Sequence, residues 1–576
     1  MASIKRRHAL VAAVALTGIA QGTSFAADPL RVTQPVQVTK SDLDPQRTYA
    51  APYLLAHPDD PEVIVGGTLE FRQKQCSLVR STNGGTTWTL LDNPPLLQSH
   101  PFCLANNSNI FQAPLAWGRA ERLYMATVAW DVQDTRSKSS VALHRSSDLG
   151  DSWESFIVRD ARPTSGDDQE SNRPVTGVVV DSSGSEDVVY VTWRQGISNQ
   201  PTGSSVPSHA MVAVSTDGGE TFGPPRRIDE GAYTPPVVSE ASSTATTVPN
   251  TTTTTAPAGS LAERPDAAEN FGSGNNGVAM DGSGTFYAAW PSSSSNQGGR
   301  RVATGIFLSS TSDRGQTWRH HPIRSFRFEN RSNVQLAWSS DGGPNGSLHV
   351  VYEGTDQPDV NSYADIWHQR STDGGQTWSE PTSITGSNPR DLFGKFIPMI
   401  TTAPNGRIDV AWWDTRDDPG IRANDVYYTY STDAGETFVA PTRITDQSID
   451  RRFGVWGNNF DQNSPPGLAS VDEYAIVGWD DTRFSRGEDG PVLATDPATS
   501  GAGVGGGLQD IFVSTVQFSA VGGGASKVAK AVMAGVVGLV AVGLVLLVVS
   551  SLSRRSGEPP RLMKGDAAKS SRAPVG

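Results

Sequence analysis

The chain has 576 residues, with 60 acidic against 47 basic side chains for a net charge of −13, and it carries 58 glycines and 38 prolines. An acidic balance excludes a nucleic-acid binder, whose phosphate contacts need basic surface. The glycine and proline content excludes a long helical bundle and points to a fold with many tight turns.

Residues 1–27 read as a signal peptide: Lys5-Arg6-Arg7, an apolar run from Ala9 to Ala20, then the small residues Ser24-Phe25-Ala26-Ala27. The exported domain follows over residues 28–520. Without the signal and the C-terminal end its net charge falls to about −22, which makes Ca²⁺ a candidate ligand at an unknown site, although no cofactor is required.

A run of the form Ser/Thr-x-Asp-x-Gly-x-Thr/Ser-aromatic then returns six times, at a period of roughly 60 to 70 residues apart from one longer gap. The copies run from Ser81 to Trp88, Ser146 to Trp153, Ser215 to Phe222, Thr311 to Trp318, Ser371 to Trp378 and Ser431 to Phe438. The acidic position is held by Asn83, Asp148, Asp217, Asp313, Asp373 and Asp433. This is turn chemistry: a side-chain oxygen for nearby backbone N–H groups, a glycine for positive φ, hydroxyls for local bonds and an aromatic lid. Each box joins two strand-like stretches, and a second hairpin lies upstream, as in Phe396 to Ile400 and Arg407 to Trp413. One unit is therefore a four-stranded antiparallel blade, and the domain is an all-β propeller. Seven upstream hairpins predict seven blades, or six if the first or last unit is a decoration.

Two cysteines, Cys76 and Cys103, fall in the first unit and outside the membrane, which predicts a disulfide pinning that blade. The long gap holds residues 231–262, rich in Ser, Thr and Pro, expected as a disordered insertion. The last unit ends in Asp510 to Thr515 and lacks an outer strand of its own. Val36-Gln37-Val38-Thr39 reads like the outer strands Thr382-Ser383-Ile384-Thr385 and Thr442-Arg443-Ile444-Thr445. It is expected to close the ring by joining the last blade, leaving no free sheet edge. A linker over 521–530 leads to an uncharged run of 22 residues, Ala531 to Leu552, long enough for one transmembrane helix. The basic residues beyond it predict a cytoplasmic tail over 553–576, so the propeller should stand outside the cell membrane.

The boxes occupy third turns, so their recurrence is explained by folding alone. On the opposite face a partial repeat ends several second strands: Trp130 to Arg136, Trp413-Asp414-Thr415-Arg416 and Trp479-Asp480-Asp481-Thr482-Arg483. Such loops can set carboxylates and guanidinium groups around one cleft, or each Asp and Arg can pair with one another and brace a loop.

The boxes, as in Ser371-Thr372-Asp373-Gly374-Gly375-Gln376-Thr377-Trp378, resemble those of the sialidase superfamily, also called the bacterial neuraminidase repeat family, over about residues 45–518. The resemblance implies an exo-sialidase-type glycoside hydrolase with an arginine cluster on the substrate carboxylate, a tyrosine nucleophile and an aspartate acid/base. Carried onto this chain, it makes Tyr474, Asp414 and Asp480 the catalytic candidates, and Arg136, Arg173, Arg416 and Arg483 the substrate-binding ones. The chain departs from the family's Phe/Tyr-Arg-Ile-Pro motif: Tyr49-Ala50-Ala51-Pro52 and Lys395-Phe396-Ile397-Pro398 both lack its arginine. Six blades are usual in that family. The expected partner is an extracellular glycan or glycoconjugate, cleaved or merely held; a non-catalytic propeller binding a cell-wall polymer or a protein is the alternative.

Overall fold

The box recurs because it is a self-contained turn. In the copy from Thr311 to Trp318, the Thr311 hydroxyl donates to Asp313 Oδ1 (2.8 Å) and accepts the Gly315 amide (2.9 Å). The Thr317 amide and hydroxyl donate to Asp313 Oδ1 and Oδ2 at 2.9 and 2.5 Å. These Thr317 donors hold the Asp313 carboxyl down at about 2. Gly315 takes a φ of 77°, which a Cβ would strain. The same amide bonds recur around Asn83, Asp148, Asp217, Asp373 and Asp433, so all six boxes do the same structural task.

This computed structural model describes residues 30–42, 47–70, 75–99, 112–130, 139–160, 170–171, 175–197, 208–229, 277–295, 301–330, 333–354, 364–386, 394–418, 422–450, 453–454, 464–487, 490–491 and 508–518. The expected signal peptide over 1–27, the expected insertion over 231–262, and the expected linker, membrane span and tail over 521–576 lie outside them. Among the described residues no helix is long and apolar enough to cross a membrane.

Seven antiparallel blades follow one another along the chain, six with their four strands in sequential order and the last taking its outer strand from the N-terminal segment. Blade 1 runs from Tyr49 to Leu91, blade 2 from Leu115 to Asp160, blade 3 from Val175 to Arg227 and blade 4 from Gly277 to Asn330. Blade 5 runs from Val334 to Ser383, blade 6 from Lys395 to Arg443 and blade 7 from Gly467 to Gln517. Each first strand packs against the first strand of the next blade, and that of blade 7, Gly467–Ser470, packs against that of blade 1, Tyr49–Ala56, so the ring is complete. The core sits between blades. Val351 and Ile366 of blade 5, for example, are buried against Ile400, Val410 and Trp412 of blade 6.

The seam is closed by the N-terminal segment, as its sequence suggests. Val36–Gln37 pairs antiparallel with the third strand of blade 7, Asp510–Gln517, and Arg31–Val32 pairs further along it. The match to ordinary outer strands extends to single atoms. The Val38 amide donates to Ile511 O (2.8 Å) as Ile444 does to Val426 O (2.8 Å) and Ile384 to Ile366 O (3.1 Å). The Thr39 hydroxyl donates to Asp510 Oδ1 (2.7 Å) as Thr385 does to Asp365 and Thr445 to Asp425 (both 2.6 Å). Arg47 then clamps Asp510 through both carboxylate oxygens at 2.7 and 3.1 Å. Blade 7 has no box because its third and outer strands are not consecutive in the chain.

Thr39 and Asp510 are both buried, so removing the hydroxyl strands part of a charged acceptor. Thr39→Val is expected to lower unfolding stability by about 1–3 kcal/mol in denaturant melts, matching Thr445→Val. A neutral Thr39→Val beside a costly Thr445→Val would mean that the seam is not closed this way.

Candidate functional site

Second strands end on the face opposite the boxes. In blade 6 the strand Ile408–Asp414 buries Asp414 completely. Its Oδ2 accepts Trp412 Nε1 (3.0 Å) and the Arg416 guanidinium (2.9 and 2.6 Å), and its Oδ1 accepts the Arg416 amide (2.9 Å). Arg416 also donates to Thr385 O of blade 5 (3.1 Å) and lies 4.2 Å from the centre of the Tyr427 ring. Burial works against the Arg416 charge, but the hydrogen bond and field of Asp414 outweigh it and raise the pKa.

Blade 7 repeats the arrangement one residue later than the sequence alignment implies. Trp479 Nε1 donates to Asp481 Oδ2 (2.8 Å), and Arg483 donates to the same oxygen (2.7 Å) and to Asp446 of blade 6 (2.7 Å). The repeated unit is therefore Trp-x-Asp-Thr-Arg, and it braces each second strand against the end of the preceding blade's outer strand. Both described arginine candidates are used as braces, and breaking such a buried pair from one side would leave an uncompensated carboxylate.

Asp480, which takes the place of Trp413 in that unit, points the other way, toward blade 1. It is 1% exposed, and neither carboxylate oxygen has a hydrogen-bond partner. Burial pushes it up to about 7, against a weaker pull from nearby backbone amides, including that of Ala51. Blade 5 shows what such a seat looks like when filled: the equivalent Glu353 accepts the Ile397 amide (3.1 Å) and Asn333 Nδ2 (2.7 Å). Ala51 and Ile397 are themselves equivalent. Each precedes a proline at a bulge in its blade's first strand, with φ of 59° and 50°, where a non-glycine residue is strained. The two runs that echo the family motif thus share a backbone, and each presents an amide to a carboxylate of the preceding blade.

Tyr474 is not brought to this place. It opens the second strand of blade 7, Tyr474–Asp481, at the box face, with its hydroxyl donating to Pro61 O. Burial raises its pKa to about 12. It stands six residues along an extended strand from Asp480, about 20 Å away, and cannot share a reacting atom with it. Arg136 and Arg173 lie outside the described residues. Cys76 is disulfide-bonded, and Cys103 lies outside the described residues. Among the described residues no group of three or more His, Cys, Asp or Glu side chains is placed to hold a metal ion.

The central channel holds a cavity of about 310 Å³ lined by first-strand residues such as Tyr53, Leu336, Met399 and Leu468. Its lining mixes apolar side chains with uncharged polar ones such as Gln112, Gln335 and Thr401, and no Asp, Glu, Lys or Arg is among the described residues that line it. Sequence reasoning missed the Glu353 seat, whose only signal was a lone acidic residue ending an apolar strand.

The sequence matches the BNR/Asp-box repeat over residues 369–380. No curated protein matches the chain. Among solved structures, a Dyadobacter fermentans protein of unknown function is similar at 13% identity and a TM-score of 0.41, covering 85% of this chain and 99% of its own. The Hadza microbial sialidase is similar at 17% identity and a TM-score of 0.39, covering 73% and 72%. A Trypanosoma rangeli sialidase in complex with sialic acid is similar at 12% identity and a TM-score of 0.38, covering 71% and 54%. Likenesses this distant carry no chemistry across.

A raised pKa makes Asp480 a destabilising group once the pH allows it to ionise. Its stability contribution is fully present below about pH 4, where the unfolded side chain is also protonated, and is lost as pH rises through about 7. Asp480→Asn should therefore leave thermal stability unchanged near pH 4 and raise it at pH 8 by on the order of 4 kcal/mol. An equal effect at both pH values would mean that Asp480 is not buried uncharged.

Proposed function

We propose that this chain is a cell-surface Asp-box propeller that holds terminal acidic sugars of glycoconjugates without hydrolysing them. The observation that carries the non-hydrolytic reading is the engagement of Arg416 by Asp414 and of Arg483 by Asp481, with Tyr474 on the opposite face. A guanidinium already satisfied by a buried carboxylate has little left with which to grip a second one. The glycan reading rests on the Asp-box propeller shared with the sialidase superfamily. Display outside the cell rests on the signal-like residues 1–27 and the apolar run 531–552. Ca²⁺ binding by the acidic exterior would be weak and is not required.

Hydrolysis is the second reading, and one feature favours it: burial raises the pKa of Asp480 to about 7, the range that suits a general acid. Its burial argues against contact with a substrate. Incubation of the full-length protein with a fluorogenic sialic acid glycoside should give no turnover. Turnover that disappears in Asp480→Asn would establish the hydrolase instead.

A further inference from the structure

On the box face, neighbouring blades are fastened by a repeated clasp. The residue before the box is an arginine in blades 1, 2 and 5, and it reaches the next blade's box. Arg80 donates to Leu149 O (3.1 Å) and pairs with Asp151 (2.9 Å). Arg145 donates to Gly218 O (2.9 Å) and pairs with Glu220 (3.2 Å). Arg370 donates to Ala434 O (3.3 Å) and pairs with Glu436 (2.8 Å). The acceptors are always the fourth residue of the box and the acid at its sixth. Other junctions are filled differently. Val214 and the stem of Arg226 lie against Gly315 between blades 3 and 4, Arg407 reaches Val471 O and Asp472 O of blade 7 (both 2.8 Å), and Tyr474 reaches Pro61 of blade 1.

Between blades 4 and 5 the clasp is absent. Ser310 stands in the arginine's place and Gln376 in the acid's, and the Gln376 amide turns back to Asp373 O (2.9 Å). What remains is a cavity of about 700 Å³ lined by these two residues and by Trp338, Arg319, His321 and Asp281. That volume is in the range of small-molecule sites, and its lining is predominantly polar. Trp338 is half-buried, and its indole N–H is committed to Asn345 O (3.2 Å), so the ring is held in place. A fixed indole offers apolar area to the C–H face of a sugar ring, while the amide, carboxylate and guanidinium groups suit hydroxyls. Arg319 places a guanidinium in this lining, beside the carboxylates of Asp281 and Asp373, and a guanidinium suits a carboxylate-bearing sugar.

We infer that the unclasped junction between blades 4 and 5 is a binding site for a short saccharide ending in an acidic sugar. The choice of ligand class rests on the glycan-binding reading above; the missing clasp does not. The test rebuilds the clasp that other junctions carry. Full-length protein, Ser310→Arg/Gln376→Glu and Arg319→Gln are each titrated with 3′-sialyllactose and with lactose, following heat and tryptophan fluorescence. The wild type should bind sialyllactose more tightly than lactose. The clasped double variant should bind at least ~10-fold more weakly while melting no lower than wild type, and Arg319→Gln should lose the preference for the acidic sugar. Binding unchanged in the double variant would overturn this site and leave the glycan-binding reading standing. Absence of any saccharide binding by the wild type would overturn both. If the double variant does not fold, an unchanged preference in Arg319→Gln overturns the site by itself.

Discussion

Ring closure is the constraint on which this propeller depends. Each blade buries one face against its neighbour, so a seventh blade without an outer strand would leave both an open edge and a half-covered core. The chain meets this with its own beginning. Thr39 reaches Asp510 over a sequence separation of 471 residues and makes the bond that Thr385 and Thr445 make within their own hairpins. Arg47 adds a second lock on the same carboxylate. The first strand of blade 1 can then sit against that of blade 7, and the bulge at Ala51 comes to lie beside Asp480.

Closure also explains how the charged side chains are used. Seven wedges around one axis need contacts at both faces, and here charged groups supply many of them. On one face Asp414–Arg416 and Asp481–Arg483 tie second strands to the preceding blade; on the other, arginine clasps tie box to box. Charges employed this way are poor candidates for chemistry, however closely their spacing resembles a catalytic set. The informative positions are those where a structural device is incomplete. Asp480 occupies a seat that Glu353 fills with two donors, and the blade 4–5 junction lacks the arginine clasp that Arg80, Arg145 and Arg370 form at three other junctions.

Much of the fold was legible because turns and strand pairing are local. Six boxes, their upstream hairpins and the likeness of Val36–Thr39 to other outer strands were enough to reach seven blades and the closing strand. The site was less legible, for a reason visible at Asp480. Aligning on Trp-Asp pairs Asp480 with Asp414, but Asp480 holds the middle place of Trp-x-Asp, that of Trp413, and so points to the other face, and Asp481 is the true equivalent. The tryptophan that matters in blade 6 is Trp412, not Trp413, whose indole N–H goes instead to Ser464 O (3.0 Å). Tyr474 has the chemistry of a nucleophile, but the strand's direction places it on the other face. Arg80, Arg145 and Arg370 are evident in the sequence, but their partners lie one blade away, and only the assembled ring shows which junctions without such an arginine are filled by other side chains and that the one at Ser310 stays open.

The most direct test of the account is amide hydrogen exchange on the full-length protein with and without saturating 3′-sialyllactose. New protection is expected in residues 310–321 and 338–347, flanking the open junction, with no change at the second-strand ends 412–416 and 479–483. Protection confined to those strand ends would contradict the account and return the ligand to the opposite face.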